Sequence, residues 1–186
     1  MKRYLSILVL FITVITMEAQ NKVLIAYFSR TGENYAVGTI TKGNTARVAE
    51  EIQKLTNGQL FEIKSDRKYS DNYKTCCDQA KEDLNKNARP KLLADVKDMS
   101  QYDTIYLGYP IWWGTMPMPV LSFIEAHGGL KGKTIIPFCT HEGSSFGSSL
   151  SDLKKACPQA TIKSGLSIQG KNTKNCAKTV ENFIKK

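Results

Sequence analysis

The feature that most constrains this chain is an apolar run with no alternation, Val23-Leu24-Ile25-Ala26-Tyr27-Phe28. A strand whose successive side chains are all apolar must be covered on both faces, as in a parallel sheet sandwiched between helices. The run leads into a long polar loop that begins Ser29-Arg30-Thr31-Gly32 and ends Lys42-Gly43-Asn44-Thr45. An amphipathic helix is predicted over 45–55, with Ala46, Val48, Ala49, Ile52 and Leu55 as its apolar stripe and Asn57-Gly58 as its stop. A strand, then a loop of hydroxyls and glycines, then a helix is a device for turning backbone N–H groups and a helix N-terminus toward a phosphate. The bland alternative is an ordinary helix cap at Asn44 or Thr45, which needs no ligand.

The same rhythm continues to the end of the chain. Strands are predicted over 60–63, 104–109, 133–138 and 161–168, and helices over 75–87, 119–126, 147–156 and 175–186. Pro117 and Pro119 suit the start of the third helix, because proline is tolerated in a first turn. Residues 66–74 read as a loop. Five strands alternating with about five helices imply an α/β doubly wound parallel sheet. Ligands of such sheets sit outside the carboxyl ends of the strands, at the switch point. The three loops of unusual composition, 29–45, 110–117 and 139–147, all follow strands and should meet there.

The N-terminal segment belongs outside that pattern. Met1-Lys2-Arg3 is basic, 5–16 are almost wholly apolar, and Glu18-Ala19-Gln20 follows. This is the pattern of a secretory signal peptide with cleavage after Ala19, leaving residues 20–186 as the mature domain. Twelve apolar residues are short of the roughly 20 that a membrane span requires, so no stable anchor is expected after cleavage. Exported, the protein would be periplasmic or secreted. Removing Lys2, Arg3 and Glu18, a net +1, takes the charge from +9 to +8. The lysines are scattered, with no aromatic interleaving and no run of five, so a solvated surface is favoured over nucleic-acid binding. Cys76, Cys77, Cys139, Cys157 and Cys176 are odd in number, so at least one thiol is free or pairs between chains. An oxidising compartment permits a disulfide, although the adjacent Cys76 and Cys77 are sterically unsuited to bonding each other. There is no CxxC, and the two histidines do not cluster with other ligands, so no metal site is expected.

Each loop brings distinct chemistry. The first offers Ser29, Thr31, Asn44, Thr45 and new-helix N–H groups. It is not a P-loop, since Lys42 precedes Gly43, and the dinucleotide pattern G-x-G-x-x-G is absent. The second, Pro110-Ile111-Trp112-Trp113-Gly114, holds both tryptophans, which are either core or a face for a flat ring. The third, Cys139-Thr140-His141-Glu142-Gly143-Ser144-Ser145-Phe146-Gly147, is small and polar enough to border a ring edge. It also matches G-x-S-x-G around Ser145, the nucleophile pattern of α/β-hydrolases. In that fold a histidine follows the serine in the chain. His127 and His141 both precede it, which leaves the hydrolase an outsider.

With these residues in place, nearly all of the mature chain resembles the flavodoxin family, in its short bacterial form. The resemblance is carried by 23–29 with Gly43-Asn44-Thr45, by 107–117 and by 137–147. It implies the flavodoxin-like strand order 2-1-3-4-5, FMN as cofactor, and electron transfer or oxidoreduction. Carried over by position, Ser29, Asn44 and Thr45 would hold the FMN phosphate. Pro110, Ile111, Trp112, Trp113 and Gly114 would line the isoalloxazine, with Thr140, His141, Gly143 and Gly147 on its other side. The chain departs from the family pattern in carrying residues 30–42 as an insert. Thr31-Gly32-Glu33-Asn34 is therefore an alternative phosphate loop, and Tyr35 an alternative cover for the flavin. A basic carrier also implies an unusual, acidic redox partner. The alternatives are an NAD(P)H-dependent reductase of a quinone or other small acceptor, and a flavin-free partner-binding module.

Overall fold

The computed structural model describes residues 22–186, so the predicted signal peptide lies outside the described residues. The apolar run forms β1 (Lys22–Tyr27), flanked by β4 (Gln59–Glu62) and β5 (Tyr102–Pro110). Next to β5 lies β6 (Thr134–His141), and the fifth position is filled by two segments, β7 (Thr161–Ile162) and β8 (Leu166–Gln169). All these pairings are parallel, in the order β4-β1-β5-β6-β7/β8, which is the doubly wound 2-1-3-4-5 order.

The non-alternating strands behave as their composition requires. Leu24 and Ala26 of β1, with Ile105, Leu107 and Tyr109 of β5, are buried in one core. It is closed by α3 (Met118–Ala126) through Val120, Phe123 and Ile124, and by α4 (Ser149–Ala156) through Leu153. Ile25 and Tyr27, Tyr106 and Phe138 point the other way. That second core is closed by α1 (Asn44–Thr56) through Val48, Ala49 and Ile52, and by α5 (Ala177–Ile184) through Val180. The remaining helix, α2 (Tyr73–Asn85), packs beside α3. Its cap is Asn72, whose side chain accepts from Thr75 N–H at 3.0 Å, so the helix starts two residues upstream of the predicted start.

Three features differ from the sequence reading. The fifth strand is broken at 163–165, where the register against β6 slips by one residue. Lys163 N–H donates to Ile135 O at 2.9 Å, so Ile135 turns its backbone toward the fifth strand, and by alternation Pro137 does too. Proline has no N–H to give, so the ladder fails there and resumes after a one-residue bulge. Secondly, β6 extends past the expected end at 138 through Cys139, Thr140 and His141, because Tyr109, Pro110 and β8 pair with them. Thirdly, the inserted loop is a hairpin of β2 (Gly32–Asn34) and β3 (Gly38–Ile40), antiparallel and separate from the main sheet. Arg30 anchors it by donating to the carbonyls of Ser70 (2.6 Å) and Asp71 (2.9 Å), while Glu33 accepts from Tyr73 N–H at the start of α2 (2.9 Å).

At the centre of the sheet, Gly108 makes room for a neighbour: a β-carbon there would sit 2.1 Å from the ring of the buried Phe138. Gly108→Ala should therefore destabilise the protein by about 1–3 kcal/mol, the usual cost of overpacking a core. Urea unfolding of Gly108→Ala, Phe138→Leu and the double variant checks this; the double should recover part of the loss, and simple additivity would refute the steric account.

Candidate functional site

The three loops do meet, at the carboxyl ends of β1, β5 and β6, where they wall a cleft of about 310 Å³. Asn44, Thr45, Pro110, Ile111, Trp112, Trp113, Thr140 and His141 line it, all of them named from the sequence. Arg30, Asn34, Tyr35, Tyr73, Cys76, Cys77, Ala80 and Glu142 complete the wall. The remaining named residues support it from behind or lie apart. Gly114 O accepts from Ser148 N–H at 2.8 Å, which locks the second loop to the third beside Gly147. Gly143 donates its N–H to His141 Nδ1 at 2.9 Å. Thr31 is exposed on the hairpin and outside the wall.

At one end stands the N-terminus of α1. Its cap residue is Gly43, which has no side chain, so neither Asn44 nor Thr45 is the cap. The capping oxygen comes from Ser29, whose Oγ accepts from Ala46 N–H at 3.1 Å. Only glycine allows this approach, because a β-carbon on residue 43 would stand 2.1 Å from that oxygen. Arg47 N–H is taken by Gly43 O. The N–H groups of Asn44 and Thr45 therefore remain at the mouth of the helix, with the helix dipole behind them. The hydroxyl of Thr45 meets that of Thr140 at 2.9 Å, and Asn44 Oδ1 accepts from Thr173 at 2.9 Å, which orients the amide.

At the other end the two tryptophans part ways. Trp112 packs edge-on against Phe28 (5.4 Å) and Tyr69 (4.9 Å) and belongs largely to the core. Tyr69 is itself held by Asp83, which also pairs with Arg67 at 3.0 Å. Trp113 is 53% exposed. It sits in a tight turn closed by reciprocal Trp112–Thr115 backbone hydrogen bonds of 2.9 and 3.1 Å, with φ of 52° at Trp113 and 84° at Gly114. Its indole N–H donates to Cys77 O at 3.0 Å, and Lys81 Nζ lies 4.9 Å from the ring centroid. The ring is thus fixed at its edge and open to the cleft.

Between the two ends lie His141 and Glu142. Because His141 Nδ1 accepts from Gly143, the neutral ring carries its proton on Nε2. Burial lowers its pKa, which favours that neutral form. Glu142 Oε2 is buried and has no hydrogen-bond partner among the described residues, and burial raises the carboxyl's pKa. Its other oxygen packs on Gly170, 2.1 Å from where a β-carbon would be, beside the Asn44 amide. Burial likewise pushes the Cys76 thiol up to about 11, so it lines the cleft as a neutral group. Ser145 shares a 2.9 Å hydrogen bond with Ser167 rather than with an imidazole, which gives the hydrolase reading no base. All five cysteines are free thiols, and no three acidic, histidine or cysteine side chains converge on a metal position among the described residues.

The flavodoxin family profile matches residues 22–184. The chain belongs to the flavodoxin family. A crystal structure of a protein designated a flavoprotein from Bacteroides uniformis is 30% identical, with a TM-score of 0.71 over 89% of this chain and 99% of that one. Another, from Bacteroides eggerthii, is 31% identical, with a TM-score of 0.65 over 87% and 99%. The fold is also that of a Lactobacillus acidophilus flavoprotein in complex with FMN, at 22% identity, a TM-score of 0.65, and 80% and 93% coverage. Among curated proteins none matches. For this flavodoxin the wall residues missed from sequence include Arg30, which opens the insert, and those of α2. Cys76, Cys77 and Ala80 lie in a helix whose polar composition predicts only exposure, and no local pattern marks which side faces a cleft.

Glu142 gives the site a pH signature. Its folded pKa lies above the unfolded value, so ionising it costs stability once pH rises above the normal glutamate range. Glu142→Gln should therefore raise Tm at pH 8 and leave it nearly unchanged at pH 4. Thermal melts across that range check the sign; a variant that melts lower at pH 8 would mean that the carboxylate is stabilising.

Proposed function

We propose that this flavodoxin holds FMN in the cleft and moves electrons outside the cytoplasm. One observation carries the reading: a single cleft joins a helix N-terminus suited to a phosphate to an exposed indole suited to a flat ring. The residues fit the group. The N–H groups of Asn44 and Thr45 and the Thr45 hydroxyl would take the phosphate oxygens, with Ser29 holding the helix end in shape. The unpartnered Glu142 Oε2 is an acceptor for a hydroxyl of the sugar-alcohol chain. Trp113 would stack on the ring, and His141 Nε2–H would donate at its polar edge. Bound FMN supplies one- and two-electron redox chemistry. The protein's part is to orient the ring, exclude water from it and set the polarity around it.

Export rests on the basic, apolar and small-residue segments of 1–19. The mature charge, +9 less the +1 of that segment, supports an acidic redox partner. Electron exchange with such a partner should slow as salt is raised.

The first test is the absorption spectrum of the purified mature protein, desalted after incubation with FMN. A retained flavin spectrum is expected, and none would leave a flavin-free binding module. Bleaching by NAD(P)H alone would mark a reductase, whereas inertness would mark a carrier. Trp113→Asn removes the ring while keeping a residue that tolerates positive φ. It should fold normally and bind FMN about two- to tenfold more weakly, given the 0.5–1.5 kcal/mol or so that aromatic stacking contributes beyond area burial. An unchanged Kd by fluorescence titration would remove the tryptophan from the site.

A further inference from the structure

Glu142 brings a carboxyl into the cleft that nothing in the fold neutralises. Its Oε2 is shut off from solvent and has no hydrogen-bond partner among the described residues. An ionised carboxylate so placed needs a cation or several N–H donors. Glu142 forms no ion pair among the described residues. The cation whose charge it feels is Lys171, on the short helical segment Gly170–Asn175. The neighbouring Gly143 N–H is already taken by His141 Nδ1.

This carboxyl stands at the phosphate end of the cleft. Asn44, the first residue of α1, has its Oδ1 held by Thr173, and its Nδ2 crowds the same point as Glu142 Oε1. A β-carbon on Gly170 would lie 2.8 Å from the one and 2.1 Å from the other. The free N–H groups of Asn44 and Thr45 therefore draw an anion to the side of a carboxyl. Like charge and deeper burial then both favour the neutral acid. The other titratable groups on the wall do not relieve this. The Arg30 guanidinium is engaged by three backbone carbonyls, and Lys81 lies over Trp113 at the opposite end. Burial keeps His141, Cys76 and Tyr73 neutral.

We propose that the cleft binds FMN together with a proton, which Glu142 holds as its neutral acid beside the phosphate. The proposal rests on the reading of the cleft as an FMN site and names the residue that makes its affinity depend on pH. The neutral acid keeps acceptor capacity for a sugar hydroxyl and adds a donor that the carboxylate lacks. Binding and protonation are reciprocal. FMN raises the carboxyl's pKa above its value in the free chain. Affinity is thus full below that free value and is lost as pH rises through the value in the complex. The cleft fills in mild acid and empties in alkali.

Isothermal titration of the mature chain with FMN at pH 7.5, in buffers of different ionisation enthalpy, counts the protons taken up. The wild type should take up a large fraction of one proton per FMN. Glu142→Gln keeps an acceptor oxygen but cannot titrate, and should take up almost none. Between pH 6 and pH 9 the wild-type Kd should weaken about tenfold more than that of Glu142→Gln, and riboflavin, which lacks the phosphate, should show a smaller gap. The phosphate's own ionisation, at about pH 6, is common to both chains and cancels. Equal proton uptake in the two chains would overturn the proposal, as would proton release by the wild type relative to the variant. If Glu142→Gln folds poorly, the 13C carboxyl resonance of Glu142 in the wild type decides. Its titration midpoint must rise when FMN is loaded, and an unmoved or lowered midpoint overturns the proposal. A folded wild-type chain that retains no FMN at pH 6 marks failure of the cofactor reading itself, and the proposal falls with it.

Discussion

Everything in this molecule depends on a central strand that is buried on both faces. Leu24 and Ala26 face one core and Ile25 and Tyr27 the other, and none can be left in water without losing the burial that stabilises the sheet. Helices must therefore cover both sides, and each connection must cross over the sheet to bring the next strand back parallel. The chain runs from β1 outward to β4, then returns across β1 to β5. That reversal leaves a crevice at the carboxyl ends which no helix can fill, and polar side chains collect there because the interior admits none. The site is thus a consequence of where the sheet forbids polarity.

Within the crevice, short polar contacts do the positioning. Ser29 lies at the end of β1, yet its hydroxyl satisfies an N–H of α1 seventeen residues later, because Gly43 lets the two come together. Strand and helix are stapled at the point where a phosphate would bind. Ser148 does the equivalent between the second and third loops by donating to Gly114 O from both its backbone and its hydroxyl. Ile111 N–H to Thr140 O, at 2.8 Å, extends the ladder between β5 and β6 into the wall itself. A wall built from sheet hydrogen bonds is stiffer than one built from free loops, which suits a pocket that must hold a ring in one orientation.

The parallel two-sided core and the meeting of three loops were legible in the sequence because each rests on a local property: absence of alternation, breaker residues, or hydroxyl and aromatic enrichment; the strand order came only with the family resemblance. What escaped depends on partners far along the chain. The hairpin at 32–40 has no strand signature, since Gly32-Glu33-Asn34 is poor in β-formers and is held by Arg30 and Asp71 rather than by propensity. The break in the fifth strand is written in Pro137, one strand away. Ser29 could not be recognised as the cap of α1, because capping patterns are sought within a few residues of the helix and this one spans an insert. Neither could Trp112 and Trp113 be told apart. They are adjacent and chemically identical, and only the tertiary neighbours of Trp112, Phe28 and Tyr69, assign one to the core and the other to the cleft.

That division also bears on why the second tryptophan is there at all. A non-glycine residue at φ 52° costs of order 1–3 kcal/mol, and an indole half in solvent returns little of its burial energy. Lys81 and the Cys77 carbonyl recover some of this, but Asn or Gly would fill the same turn with less strain. The fold does not need Trp113, since Gly114 and the Trp112–Thr115 hydrogen bonds already make the turn. A side chain that is locally unfavourable, held by its edge and open on its face to a cleft is arranged for a ligand whose stacking offsets that cost. The same reasoning extends to Tyr35, which contributes to no core and whose supporting hairpin is tied to residues 70–73 by polar contacts. Stability alone would select against both rings, and they stand on the rim of one cleft.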